Sequence, residues 1–349
     1  MANFFNSVRI TNFKSLKDVT LSDCKRINLL IGKPNVGKSN ILEAMGLFGL
    51  GYSVLNKSKK LTQFTRFENT RELFFDGNVE EPITIAINND GTERSCRIDY
   101  QDSIQKNLTN TIRLFDKELI VSILNKGAHA KLTVNSELDI DVTEASVIDL
   151  CNVKQYKFAL NPVLEKWLSI PYLIPPYGSN LLYVIQEHKQ LRKELSGIFS
   201  EYGLKLVIDT GNHRLRIQKD IKDGLVFSIP YDSIADTLQR IIFFKAAIAS
   251  NQDSILLFEE PEAHCFPPYI AHFTQDVIDS ETNQFFIATH SPYVLNDFLE
   301  DTKINLAIYM VDFQDGQTVV YRLSDEELDE IYTYGIDVFF NYERFTAHG

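Results

Sequence analysis

The chain has 349 residues, 44% hydrophobic and 23% charged, with a formal net charge of −12, which fits a globular protein with one sizeable core and an insertion. So acidic a chain is poorly suited to wrapping nucleic acid with its whole surface, because phosphate contacts need Lys and Arg to displace counterions. No apolar stretch reaches the roughly 18 residues of a membrane span, Met1-Ala2-Asn3-Phe4-Phe5 lacks a signal-peptide pattern, and a cytoplasmic protein with no membrane partner is expected.

Val8 to Lys17 reads as a first strand and turn, and Arg26 to Ile31 as an apolar strand. Gly32-Lys33-Pro34-Asn35-Val36-Gly37-Lys38-Ser39 follows, then the helix pattern Asn40 to Met45. This is a P-loop in its strand-loop-helix setting. The backbone of Gly32, Asn35, Val36 and Gly37 can turn N–H groups onto a β/γ-phosphate, Lys38 supplies charge, and Ser39 offers a hydroxyl to Mg²⁺. Two alternating segments, Pro82 to Ile87 and Ser95 to Tyr100, are joined by the turn Asn88-Asn89-Asp90-Gly91.

From 101 to 200 the pattern becomes mainly helical and irregular, with breakpoints at Asn161-Pro162, Pro171 and Pro175-Pro176-Tyr177-Gly178. A long helix is expected from Ser179 to Glu201, its buried stripe formed by Leu181, Leu182, Val184, Ile185, Leu191 and Leu195. Strands at Leu204 to Asp209 and Arg214 to Gln218 turn on Thr210-Gly211-Asn212-His213. Basic runs at Lys57 to Lys60 and His188 to Lys193 read as solvated faces before they read as a nucleic-acid patch.

Tyr231 to Arg240 precedes the helix Ile241 to Ala247, and its start is open to capping by Ser233 or Asp232. The buried-strand pattern Ser254 to Phe258 ends in Glu259-Glu260-Pro261-Glu262-Ala263-His264. A parallel strand would deliver these carboxylates to the P-loop edge of the sheet. There Glu259 would hold Mg²⁺ and Glu260 would polarise the attacking water. A second buried strand, Gln284 to Ala288, ends in Thr289-His290-Ser291-Pro292, where His290 could sense the γ-phosphate or position the water. The acidic stretch Asp325 to Glu330 reads as the solvated face of a short helix. Cys24, Cys96, Cys151 and Cys265 show no CxxC or Cys/His spacing, which argues for a reducing compartment and against structural zinc.

Together these motifs resemble an ABC-type ATPase of the SMC, DNA-repair and OLD superfamily, and in particular its small bacterial AAA-21/AAA-15-like members. The likeness rests on Val8 to Lys17, on Ser39-Asn40 closing the P-loop, on Glu259 to His264 and on Thr289 to Pro292, and covers about 1–100 and 225–312. It implies an α/β P-loop head, with a mixed or parallel core sheet and an antiparallel β-layer, plus an inserted, mainly helical lobe. The expected division is 1–100, 101–225 and 226–349. It also implies ATP and Mg²⁺ as cofactors, Asn40 among the nucleotide contacts, and a head-to-tail homodimer or higher oligomer. In that dimer a signature helix completes the neighbour's site, with Ala235, Asp236 and Gln239 as candidates. Ala235 stands where many relatives carry Ser, which puts hydrolysis rate in doubt more than binding. The segment after His290 is short for a TOPRIM nuclease domain, so a separate effector, a nuclease or toxin of anti-phage defence, is the expected partner. The alternative is a DNA-repair or DNA-structure sensor that binds nucleic acid directly. Gln63 and Gln101 are both open as the Mg²⁺-linked glutamine, and Phe13 and Lys14 lie on the turn nearest the nucleotide in related heads.

Overall fold

A computed structural model describes residues 4–89, 92–106, 112–125, 128–142, 152–160, 169–301 and 305–346. Asp90-Gly91 of the expected turn, Cys151 and the Asn161-Pro162 breakpoint lie outside the described residues. The chain folds as two units, each discontinuous in sequence. One takes Met1–Gln155, Asp253–Glu260 and Asn283–Gly349, and the other Tyr156–Gln252 and Pro261–Thr282.

In the first unit β1 (Ser7–Phe13) and β2 (Leu16–Leu21) form a hairpin, and β3 (Ile27–Ile31) leads through the P-loop into α1 (Lys38–Gly46). Next come β4 (Ile83–Asn89), β5 (Thr92–Lys106), β6 (Ile112–Asn125), β7 (Ala128–Val134) and β8 (Ile140–Val142). Seven of these strands make an antiparallel sheet in the order β2-β1-β4-β5-β6-β7-β8. Alternation along them sends Val8, Ile10, Ile83, Ile85, Leu119, Val121, Leu132 and Val134 into one core, where the Ile41, Leu42 and Met45 face of α1 joins them. The helical pattern expected across 101–200 is therefore wrong for 101–106, 112–125 and 128–134, which are strands. β5 and β6 pair from Arg94↔Asn125 to Lys106↔Ile112, and the two-residue period of Leu119, Val121 and Ile123 is satisfied only in a sheet. The residue-100 boundary falls inside β5, and the second unit begins at Tyr156 rather than at 101 and runs past 225 to Gln252, with Pro261–Thr282 added.

After β9 (Val153–Tyr156) come the second unit's α2 (Leu181–Glu187), α3 (Lys189–Ser200), β10 (Lys205–Asp209), β11 (Arg214–Asp220), β12 (Val226–Pro230) and α4 (Asp236–Ala249). The one long helix expected here is two. His188 is extended and its ring lies 3.0 Å from the Pro171 carbonyl, while Arg192 donates to the Ile185 and Gln186 carbonyls that end α2. The two expected strands form as β10 and β11, with β12 as a third, all antiparallel. In α4 the buried Lys245 ammonium reaches Asp276 at 2.6 Å and Glu194 at 3.4 Å. This joins α3 and α4 to α5 (Pro267–Asp279).

The second sheet of the first unit uses β3, β9 and four later strands: β13 (Ile255–Glu259), β14 (Gln284–Thr289), β15 (Leu306–Gln314) and β16 (Gln317–Arg322). Its order is β16-β15-β3-β14-β13-β9, with β15, β3, β14 and β13 parallel and β16 antiparallel to β15. Every residue of β3 and β14 is buried, as expected of central parallel strands. The Thr318 N–H donates to Ser15 O at 2.8 Å and so joins β16 to the β1–β2 turn. α6 (Pro292–Asp301) follows β14. α7 (Asp325–Tyr334) carries the expected acidic face and opens on a Ser324–Glu327 capping box, and α8 (Tyr342–Thr346) follows it. Among the described residues no helix is long and apolar enough to cross a membrane.

Candidate active site

The parallel register brings three strand ends to one edge. Glu259 pairs with Ala288, Ala288 with Leu30 and Thr289 with Ile31, so the tips of β13 and β14 lie beside the P-loop. The cleft there has a volume of about 460 Å³, within the range of small-molecule sites. Lys14, Asn35, Gly37, Lys38, Ser39, Asn40, Arg66, Glu259, Glu260 and His290 are among its lining residues.

The loop is shaped by what a side chain would strike. A Cβ at Gly37 would lie 2.1 Å from Thr318 Oγ1, at a φ of +110°, and one at Gly32 would lie 2.1 Å from the Val311 carbonyl. Asn35 takes φ 63°, a left-handed conformation that Asn tolerates. Lys38 Nζ donates to the Gly32 and Lys33 carbonyls, both at 2.8 Å. Burial lowers its pKa to about 8, against the opposing pull of Glu260 and Glu259.

The Ser39 hydroxyl donates to Glu259 Oε1. Glu260 sits at φ 43° just before Pro261, a conformation that residues preceding proline rarely take. Such strain of about 1–3 kcal/mol is typical of functional positions. The Glu260 N–H donates to Ala288 O at 2.9 Å, and its Oε1 lies 3.4 Å from His290 Nε2. Burial lowers the His290 pKa, the Lys38 charge adds to that, and Glu260 opposes both. His290 is therefore mostly neutral near pH 7.

Four residues that sequence reasoning passed over or left unplaced complete the site. Glu43, one helical turn after Ser39, is fully buried and accepts from Lys14 Nζ, from Thr65 Oγ1 at 2.9 Å and from Arg66 Nε at 2.8 Å. Arg66 Nη2 also reaches Glu259 Oε1 at 3.1 Å. Burial lowers the Lys14 pKa, with Glu43 opposing it, whereas Arg66 is raised because Glu259 and Glu43 outweigh its burial. The one local signal was a Glu inside the apolar helix pattern, at i+4 from Ser39 and so on the same face. Thr65 and Arg66 come from an irregular stretch with no motif.

The other expected contacts fall differently. Asn40 lines the cleft, but its amide donates to Ser15 Oγ at 2.8 Å, which meets Thr318 Oγ1 at 2.7 Å, which in turn donates to Val36 O at 2.8 Å. Gly32 and Val36 thus hold the loop's shape through their carbonyls. Phe13 is buried in the core, and neither Gln63 nor Gln101 lines the cleft. Ala235, Asp236 and Gln239 belong to the second unit. Ala235 caps α4 without a side-chain bond, so neither Ser233 nor Asp232 is the cap. Gln239, expected to reach a nucleotide, is instead 1% exposed and donates its amide to Ile234 O at 3.0 Å. An interior side chain serves its own turn.

The donor set fits a nucleotide with a divalent cation. Ser39 and Glu259 converge as one hydroxyl and one carboxylate, which suits an ion such as Mg²⁺ that takes its other ligands from phosphate and water. The loop cradle, which a Cβ at Gly37 would disrupt, and the Lys38 ammonium suit the phosphates themselves.

Residues 27–296 match the family described as "AAA domain, putative AbiEii toxin, Type IV TA system". An ATP/GTP phosphatase of Helicobacter pylori is 20% identical over 345 residues, covering 85% of this chain and 90% of that protein. The DNA replication and repair protein RecF of Clostridium botulinum is 25% identical over 235 residues, covering 63% of each. Among solved structures, an Smc head bound to the C-terminal winged-helix domain of ScpA superposes with a TM-score of 0.52 at 16% identity, over 93% of this chain and 99% of that one. The Pyrococcus furiosus Smc head bound to the C-terminal domain of ScpA gives 0.51 at 16% identity, over 95% and 99%. P-loop, carboxylate pair and His290 on one sheet edge agree with these likenesses: the chain has the fold of the Smc heads and belongs to the AAA_21 family.

Proposed function

We propose that the cleft binds ATP with Mg²⁺ and hydrolyses it slowly, and that the cycle controls a separate effector protein. The observation that carries this reading is the convergence of Lys38, Ser39, Glu259, Glu260 and His290 on one cleft. The loop N–H groups and Lys38 hold the β- and γ-phosphates, exchanging the loop carbonyls for phosphate oxygens. Ser39 and Glu259 hold Mg²⁺, which when bound neutralises developing phosphate charge. Glu260 orients the attacking water and accepts its proton. Neutral His290 donates one N–H to the γ-phosphate or that water, and its contact with Glu260 keeps the two in step.

Two copies engage head to tail around ATP, Ala235 and Asp236 at the start of α4 completing the neighbour's site while Gln239 supports that turn from inside. Because Ala235 has no hydroxyl to offer, turnover is slow and the engaged state long-lived. The output is restraint or release of a nuclease or toxin in bacterial anti-phage defence, within the cytoplasm. Support comes from the toxin–antitoxin description of the family and from the ScpA-bound Smc heads, in which a head of this fold carries a separate polypeptide. The RecF likeness favours a second reading, a DNA-structure sensor, against which the net charge of −12 weighs.

The test is recovery of tagged Glu260→Gln protein from its native cells with ATP and Mg²⁺. A stoichiometric protein partner without nucleic acid supports effector control. Salt-sensitive DNA with no protein partner puts the DNA reading first.

A further inference from the structure

Arg66 stands between two carboxylates with different freedoms. Its Nε donates to Glu43 Oε1 at 2.8 Å and its Nη2 to Glu259 Oε1 at 3.1 Å. Glu43 is immobilised, since it is fully buried and also takes Thr65 Oγ1 and Lys14 Nζ. The Glu259 side chain is 22% exposed and the Arg66 side chain 63%, so the Arg66–Glu259 half of the bridge is the half that opens. The oxygen held by Arg66 is also the one that accepts from Ser39. A divalent cation drawn to Ser39 and Glu259 and the Arg66 guanidinium therefore compete for a single atom.

We propose that Arg66 is a positioning residue that holds Glu259 as a resident counter-ion, so that metal entry and departure of Arg66 from Glu259 are one exchange. The idea rests on the reading of Ser39 and Glu259 as the metal pair. Glu43 serves as the anchor that keeps Arg66 within reach after the exchange. Arg66 thus keeps Glu259 correctly aimed until the metal arrives, and it lowers metal affinity by the strength of its own bond to Glu259. The guanidinium can span both carboxylates because it is a fork of separated donors, which a Lys ammonium is not.

The test is Mn²⁺ binding to the full chain with a non-hydrolysable ATP analogue, read by electron paramagnetic resonance of free Mn²⁺. Arg66→Ala is expected to bind Mn²⁺ about fivefold more tightly than wild type, the scale of a half-exposed ion pair. Arg66→Lys should fall between them. In melts, Arg66→Ala should lose stability in EDTA and gain more from Mn²⁺ than wild type does. If Arg66→Ala fails to fold, Arg66→Gln, which keeps a donor for Glu43 without the charge, carries the same comparison. Unchanged or weaker Mn²⁺ binding by these variants overturns the exchange. Glu259→Gln separates the two ideas, because Mn²⁺ binding that survives it overturns the metal pair itself. Binding lost in Glu259→Gln but indifferent to Arg66 overturns only the exchange.

Discussion

Glu43→Gln is the substitution with the largest consequence outside the motifs. It preserves shape and removes a charge on which Lys14, Thr65 and Arg66 converge in a fully buried position. Breaking a buried ion pair costs about 3–5 kcal/mol. The low end applies here because Lys14 Nζ keeps the Arg66 carbonyl as a second acceptor at 2.6 Å, and because the exposed Arg66 contact adds only about 0–1 kcal/mol. A loss of about 3 kcal/mol follows, or roughly 6–12 °C in melting temperature for a unit of about 150–250 residues. Thermal and denaturant unfolding of the full chain measure it. Adding Lys14→Met to Glu43→Gln removes the stranded cation as well, and the pair of substitutions should cost at least about 1 kcal/mol less than the sum of the two singles. A single-variant loss under about 0.5 kcal/mol, or strict additivity, would refute the argument that Glu43 is the buried anchor of this edge.

Gly37→Ala places a methyl 2.1 Å from Thr318 Oγ1 at a φ of +110°. It should cost more than about 2 kcal/mol of stability through backbone strain and clash together, and calorimetry should show nucleotide binding abolished. Adding Thr318→Ala should relieve the clash but not the strain, leaving binding impaired. Lys38, whose pKa is lowered to about 8, loses its charge as pH rises through that value. Nucleotide affinity should therefore be flat below about pH 8 and fall by up to tenfold per unit above it. For folding the sign is opposite. The unfolded chain holds the Lys38 proton up to about 10.4, so burying the charged form costs stability below about pH 8 and that cost fades as pH rises between the two values. Affinity that stays constant from pH 8 to 9.5 in titration calorimetry would contradict the assignment of Lys38 as the phosphate's cation.

What could be read from the sequence is what local grammar encodes. The P-loop, Glu259-Glu260 and His290 each end a buried apolar strand, and β3, β13 and β14 form where that pattern lies. Buried parallel strands carry their own signature, and their loops share an edge by topology alone. Glu43, Thr65 and Arg66 meet through contacts between separate segments, for which spacing offers no signal beyond a Glu in an apolar helix pattern. The strands at 101–142 were hidden because β5 mixes charged and polar residues such as Asp99, Gln101 and Asp102 with few apolar ones, and pairing with β6 rather than propensity decides their state. The break at His188 depends on Arg192 and Pro171 finding α2's end, again a contact between segments. Gln239 sat at a helix start that looked presentable in sequence, and only packing reveals that it faces inward.

Under the proposed function the P-loop cleft hydrolyses ATP through Glu260, and ATP itself drives engagement of two copies. This reading is tested most directly by comparing wild type with Glu260→Gln in ATP and Mg²⁺, reading phosphate release and molar mass by light scattering on the same samples. Glu260→Gln should bind ATP, lose about 10²–10⁴-fold in turnover as expected for removal of a positioned base, and persist at the mass of the engaged species. Equal turnover in the two proteins would contradict the reading.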